Sequence, residues 1–418
     1  IMKNIFILSI ILFGLNINAQ DYLGLSQGNY AGALGIDFNP ANVADNRMEM
    51  DLSINGSISF NNNYVYMNTQ SMPNGWIKSF TDTDNSLNVN WRNDPDFGKF
   101  IAADSASYYQ SQFRGNFFVT EPGKLGNSSY RGIISESIDL LNLMVTLNRK
   151  SGLGLQIKHR TIVNVDHISQ ELVTLGVKEL DYSTLWNLDL DDQLMNISMN
   201  SWMEYNLNYA HIVKDDGEHF VKAGGKIKAL KGVGSFYLYT DNIEYNFLND
   251  SVANTLNGDF SYGYSQNIAD YIEIEDLNGD GSFNGTDREI YTEDISNIFS
   301  SRWGLGIDIG GVYEWRPDWE EYKYDMDGET NLWRRDKNKY KLRASFAIND
   351  IGSMKYDKAE ASRDFTTNLT NFDMGPFTTV QGLTSLDSVV TNLVADDPGV
   401  TYTSNQAKSF YKMNLPTH

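Results

Sequence analysis

The stretch Asp276-Leu277-Asn278-Gly279-Asp280-Gly281-Ser282-Phe283-Asn284-Gly285-Thr286-Asp287 carries the most explicit chemistry in the chain. Side-chain oxygens stand at its first, third and fifth positions, glycine at the sixth and an apolar residue at the eighth. A hard divalent cation needs six to eight oxygens, and a short loop delivers them only by bending sharply back on itself. The spacing therefore predicts a Ca2+ loop. Its ligands are the side chains of Asp276, Asn278 and Asp280, the Ser282 carbonyl, Asn284 through a bound water, and Asp287 as the closing carboxylate. The ion would be structural, ordering a long connection and removing the mutual repulsion of Asp276, Asp280, Asp287 and nearby Glu275. The competing reading is an empty Asp/Asn/Gly-rich surface loop, and the match of the whole spacing favours calcium.

The pattern follows the EF-hand loop except at its last position, where Asp287 replaces the usual Glu. With Phe283 inside, it is more similar to the dockerin and thrombospondin-type calcium loops, and the shorter side chain weakens bidentate closure. Other reactive residue types form no linear motif. His211 and His219 flank one turn without a third ligand. His159 and His167 have no Gly-x-Ser-x-Gly elbow to partner them, so nothing in the sequence marks a nucleophile and no enzyme is expected. Arg334-Arg335-Asp336-Lys337 reads as a solvated loop touching anionic headgroups.

The elements that hold these residues are alternating strands. Met48, Met50, Leu52, Ile54, Ile58 and Phe60 share one parity, against Asp51, Ser53, Asn55, Ser57 and Ser59 on the other. The same alternation predicts a first hairpin over 48–67 turning at Asn61-Asn62-Asn63, and a second over 138–148 and 153–166. Further strands are expected at 197–213, 220–230, 233–247, 260–267, 303–315 and 340–349. In the 303–315 strand Trp303, Leu305, Ile307, Ile309 and Tyr313 alternate with Gly304, Gly306, Asp308, Gly310 and Glu314. Its glycines would leave room for inward side chains or a plug. Many aromatics, including Trp202, Tyr205, Tyr209, Trp315, Trp319 and Trp333, fall near predicted strand ends, as in an interfacial girdle.

Met2, Lys3 and the apolar run 5–15, followed by Ala19-Gln20, have the form of a cleaved secretory signal over 1–19, too short to span a bilayer as a helix. A net charge of −21 excludes a nucleic-acid partner. The chain has no cysteine, so burial and strand pairing alone must hold the exported protein.

Three places carry a resemblance: Asn39-Pro40-Ala41 after the Ala31-Gly32-Ala33-Leu34-Gly35 run, the strand Trp303 to Gly310, and Ala347-Ile348-Asn349-Asp350-Ile351-Gly352-Ser353. With the Gln20-Asp21 start, these resemble an outer-membrane β-barrel family of the Bacteroidota, in the style of the FadL-type fatty-acid transporters and of PorV of the type IX secretion system. The resemblance implies an N-terminal hatch inside the barrel at Asn39, Pro40 and Ala41, where the residues alone also allow a plain turn. It implies a fold and a location and gives no substrate.

The expectation is an all-β, antiparallel transmembrane β-barrel, FadL-like, of about 14 strands when complete, with long loops. Residues 1–19 form the signal, 20–47 a plug or lead-in, and 48–418 the barrel, truncated at its C-terminus and carrying the calcium loop near 268–300. Its setting is the outer membrane, with membrane lipid and secretion or surface proteins as partners. It would pass a hydrophobic or small solute, or serve as the barrel component of a surface complex. The alternative is a secreted soluble calcium-binding β-protein.

Overall fold

The computed structural model describes residues 28–62, 65–67, 117–119, 130–177, 180, 183–269, 272–275, 288–291, 301–334, 337–378, 383–404 and 409–418. Eleven strands form one large antiparallel sheet. They are β1 (Met50–Asn62), β2 (Tyr130–Asn148), β3 (Ser151–Ile168), β4 (Leu190–Asp215), β5 (His219–Phe247), β6 (Val252–Tyr264), β7 (Trp303–Trp315), β8 (Leu342–Asp357), β9 (Arg363–Asp373), β10 (Val400–Ser404) and β11 (Phe410–Asn414). The order is β1-β2-β3-β4-β5-β7-β8-β11, with β6, β9 and β10 branching from β5. Among the described residues the sheet is open, with β1 and β11 each paired on one side only. Among the described residues, two helices of eight residues or more, α1 (Gln170–Val177) and α2 (Leu383–Asp396), lie in its connections.

The tight turns follow from local chemistry. Between β2 and β3 the Asn148 side chain accepts from the amides of Lys150 and Ser151 at 2.8 and 3.0 Å, an Asx turn. Between β4 and β5, Asp216 accepts from the His219 amide at 2.7 Å, and Gly217 takes a φ of 91° that a side chain would resist.

Most predicted strands are longer than expected, and two of the differences change the topology. The hairpin over 48–67 does not form: β1 pairs with β2, and Val65–Met67 pairs instead with Phe117–Val119. The predicted 220–230 and 233–247 strands are one continuous β5, which pairs β7 through Lys231 and β6 from Phe236 onward. Strands β9, β10 and β11 and helices α1 and α2 were absent from the sequence reading.

Burial splits this sheet into two regions. Around β1 to β4, the first half of β5, β7 and β8, large apolar residues point outward and polar ones inward: Leu305 is 70% exposed, whereas Asp308 and Glu314 are 0% exposed. Beyond Gly234 the pattern is ordinary. Tyr262, Phe365, Leu369, Val390 and Val400 form a buried cluster between β6, β9, β10 and α2, with Phe260 and Phe365 stacked at 5.3 Å. Leu175 of α1 joins Ile243, Tyr245, Phe247 and Ala253 in another. Strands of 26 and 29 residues, β4 and β5, run through both regions.

Truncating Leu369, which is 2% exposed, to alanine should cost about 2–5 kcal/mol through lost transfer energy and an unfilled cavity. Hydrogen exchange should accelerate in β6 and β9 while the amides of 219–231 keep their protection.

Candidate functional site

The inward face of the sheet is filled first by the chain's own N-terminal segment. Turns at Gly32–Leu34 and Pro40–Val43 flank a single helical turn, Gly35–Phe38. Asn39 between them is extended, and its side chain makes three bonds: Oδ1 accepts from the Ala41 amide at 2.8 Å, and Nδ2 donates to the carbonyls of Gly311 at 3.2 Å and Phe346 at 3.1 Å. Asn208 donates to the Pro40 carbonyl at 3.1 Å, and Lys222 to that of Ala44 at 2.7 Å. Such bonds satisfy carbonyls that burial would otherwise leave unpaired.

Glycines in the strands provide the space. A Cβ on Gly224 would lie 2.6 Å from Pro40 and the Ala41 amide, and one on Gly154 2.7 Å from the Ile36 side chain. Gly310 faces Asn39 and Gly152 faces Val43 in the same way. Ala33, Ile36, Val43 and Ala44 then close an apolar cluster with Met144, Ala210, Ile212 and Phe220. Asn39, Pro40 and Ala41 are thus buried against the inward face, all three at 0% or within the buried class.

Next to this segment lies a layer of charges. Lys158 meets Asp37 at 2.6 Å and Asp139 at 3.2 Å. Lys226 meets Asp308 at 2.8 Å, and Lys228 meets Asp308 at 2.9 Å and also Asp350. Arg160 bridges Glu204 at 3.0 Å and Asp350 at 2.8 Å. Asp350 sits at a register shift of β8 against β7 with a φ of 61°. A bulge of this kind re-aims a side chain, here at two cations. These residues, with Ser57, Ser135 and Ser137, line a cavity of about 340 Å³. A further layer, Trp202, Leu230, Met354, Tyr356 and Leu415, is apolar. Trp202 therefore does not belong to an outward girdle; it is fully buried and donates to Glu204 at 2.9 Å.

Two carboxylates of the N-terminal segment have shifted acidity. Burial alone would raise both, but Lys158 and Lys226 hold Asp37 far below the usual carboxylate range, and Arg47 with Lys222 and Arg316 holds Asp45 below it.

The predicted calcium ligands Asp276, Asn278, Asp280, Ser282, Asn284 and Asp287 lie outside the described residues. The strands on either side, Ile272–Glu275 and Arg288–Tyr291, pair antiparallel with Glu275 opposite Arg288. The histidines take separate partners: His211 Nδ1 is 2.8 Å from Ser151 Oγ, and His219 Nδ1 is 2.8 Å from the Tyr313 hydroxyl. His159 lies between Glu136 and Ser201. The sequence reading missed the charged layer. Its signal was present, since Lys158, Lys226, Lys228 and Asp308 all occupy the polar parity of their strands, but parity does not say which of them meet.

Over residues 85–418, more than half of its length, the chain matches the model of a family of unknown function, DUF5723, and it belongs to that family. No curated protein and no solved structure matches it.

Replacing Asp350 by alanine leaves Arg160 and Lys228 buried without their shared partner, which should cost about 3–5 kcal/mol in a denaturant melt. The N-terminal segment should respond to acid. The folded-state values of Asp37 and Asp45 are depressed, so their stabilisation is present above the unfolded value of about 4 and is lost as pH falls below it. Cleavage of residues 31–46 by an acid-active protease should increase over that range, and it should do so at higher pH when Lys158 is replaced by methionine.

Proposed function

We propose that this family member is a transmembrane β-barrel of an outer membrane, with its N-terminal segment lodged in the lumen as a plug. The observation that carries this is the inverted burial. Exposed Trp303, Leu305, Ile307 and Ile309 on β7 stand beside exposed Tyr205, Leu207 and Tyr209 on β4 and Ile227 on β5, while the opposite face buries Lys226, Lys228, Asp308 and Glu314. In water that arrangement would expose apolar surface and bury charge, both unfavourable. In lipid the apolar face has its solvent and the polar face a lumen. The 13 residues of β7 rise about 43 Å, or about 30 Å of bilayer at a tilt near 45°. Trp303 and Trp315 mark the two ends.

The tight turns at 149–150 and 216–218 lie at one end of this band, together with the 316–341 connection, and the connections 63–129, 169–189 and 265–302 lie at the other, which fits a barrel with most of its long loops outside the cell. The lobe built on β6, β9, β10 and α2 would then stand on the cell surface. A filled lumen with an exposed lobe favours a barrel component of a surface or secretion complex. The charged cavity favours a second reading, passage of a small polar solute. A hydrophobic solute gains nothing from a wall of paired charges. The 276–287 loop is proposed to hold a structural Ca2+ within the same outer connections.

Membrane fractionation of the exported chain, with a gel comparing heated and unheated samples, tests the barrel. Recovery in the outer membrane with faster migration unheated is expected; a soluble, heat-insensitive product would sink it. In planar bilayers, single-channel conductance that increases on Gly224→Leu would favour the solute reading, and silence in both proteins the complex.

A further inference from the structure

On the outward face, where the apolar band ends, three side chains from three adjacent strands meet. His159 of β3 has Nδ1 3.1 Å from Glu136 Oε2 of β2 and Nε2 2.9 Å from Ser201 Oγ of β4. Thr161 Oγ1 is 3.1 Å from the same Ser201 Oγ. Register explains the meeting, because Thr161 stands directly opposite both Glu136 and Ser201, with His159 one pleat away on the same face. An ionised carboxylate only accepts, so the Glu136 contact fixes the proton on Nδ1 and leaves Nε2 to take the serine proton. Acid, imidazole and hydroxyl stand here in the order and at the distances of a serine-hydrolase triad, a constellation recognised by geometry and not by sequence order.

We propose that Glu136, His159 and Ser201 form a hydrolytic site for long-chain carboxylic esters at the lipid boundary. The surroundings set the substrate class. The row of His159 itself continues through Met203, Lys231 and Trp303, with Lys231 Nζ 5.0 Å from the Trp303 ring, the aromatic and cationic pairing of a headgroup zone. From there Tyr205, Leu207 and Leu155 continue outward-facing along β4 and β3, where an acyl chain would lie. The nucleophile also sits at a register shift between Ser201 and Trp202 against β5, a feature over-represented beside active sites. The lipid class rests on the membrane reading above; the triad does not.

The chemistry balances within these groups. Ser201 Oγ attacks the ester carbonyl and forms an Oγ–C bond as His159 Nε2 takes its proton, with the Thr161 hydroxyl donating to the new oxyanion. Collapse breaks the bond to the leaving alcohol, which takes the proton from His159. Water then adds to the acyl-serine, giving a proton to His159, and the carboxylic acid departs as Ser201 regains its hydrogen.

The test uses the full chain in mild detergent and in phospholipid vesicles. A fluorophosphonate should label the protein at Ser201, located by peptide mass spectrometry. Hydrolysis of long-chain p-nitrophenyl esters should fall about 10³-fold in Ser201→Ala and in His159→Asn, and about 10²-fold in Thr161→Val. Glu136→Gln should lower the rate with the ester KM unchanged, as expected for a residue acting through His159. Each variant is compared with the parent by thermal melting, so that loss of fold is not read as loss of chemistry. Absence of a Ser201 adduct in the unmodified chain, or ester turnover equal in Ser201→Ala, would overturn the proposal. Labelling with a preference for short soluble esters would keep the triad and reject the lipid substrate. A soluble product on fractionation would overturn the barrel separately.

Discussion

Charges buried on the inward face can remain there only because they are mutually paired. Asp139, Lys158, Arg160, Glu204, Lys226, Lys228, Asp308 and Asp350 occupy one layer, with the partly exposed Asp37 at its edge, and each has an opposite charge within 4.0 Å. Removing an ion from water costs several kcal/mol, so any one of these groups alone would be expelled or neutralised. The pairing crosses β2, β3, β4, β5, β7 and β8 and reaches the N-terminal segment through Asp37. Strand register, bulge position and segment docking are therefore coupled: a slip of one residue on β5 would turn Lys226 and Lys228 toward the apolar face, leave Asp308 unpaired and leave Asp350 with Arg160 alone.

The N-terminal segment answers a second demand of the same face. An inward surface built for charges cannot fill its remaining volume with large apolar side chains, and a short, irregular peptide brings backbone carbonyls that also need partners. Glycine at 152 and 224 lets that backbone approach and glycine at 154 and 310 makes room for the Ile36 and Asn39 side chains, while Asn208 and Lys222 donate to the backbone and Asn39 returns two donors to the strands. Packing and hydrogen bonding here are one arrangement, because a side chain at Gly224 would remove the space in which Pro40 meets Asn208.

Much of this fold was legible in the sequence because period-two alternation is a local property. The 303–315 strand was read to the residue, and the turns after Asn148 and Asp215 were marked by residues that bond their own backbone. Pairing partners were less legible: Met50–Asn62 joins a strand that begins 68 residues past its end, at Tyr130, and nothing local records that. The break read between 230 and 233 has a physical origin, since Ser201 faces Gly234 while Trp202 faces Gly232. Val233 is an extra residue there, and one extra residue exchanges the two faces. Trp202 was misassigned for a related reason, because an aromatic near an apparent strand end resembles a girdle residue until its parity is known to point inward.

The same extra residue explains how one strand pair serves two surroundings. Up to Lys231, the even positions of β5 carry Phe220, Lys222, Lys226 and Lys228 inward; beyond Val233 the inward positions include Ser235 and Tyr237, and then the buried Ile243, Tyr245 and Phe247 of the lobe. A strict alternation could satisfy lipid or water along its length, not both, and the bulge lets the sequence change its pattern without ending the strand. Ser201, His159 and Glu136 sit at that crossover. Polar groups there are neither deep in the apolar band nor lost in open solvent, and they are aligned by strands whose ladders continue above and below. A loop could supply the same side chains, but it could not fix the 2.9 Å contact of His159 with Ser201 through backbone pairing on both sides.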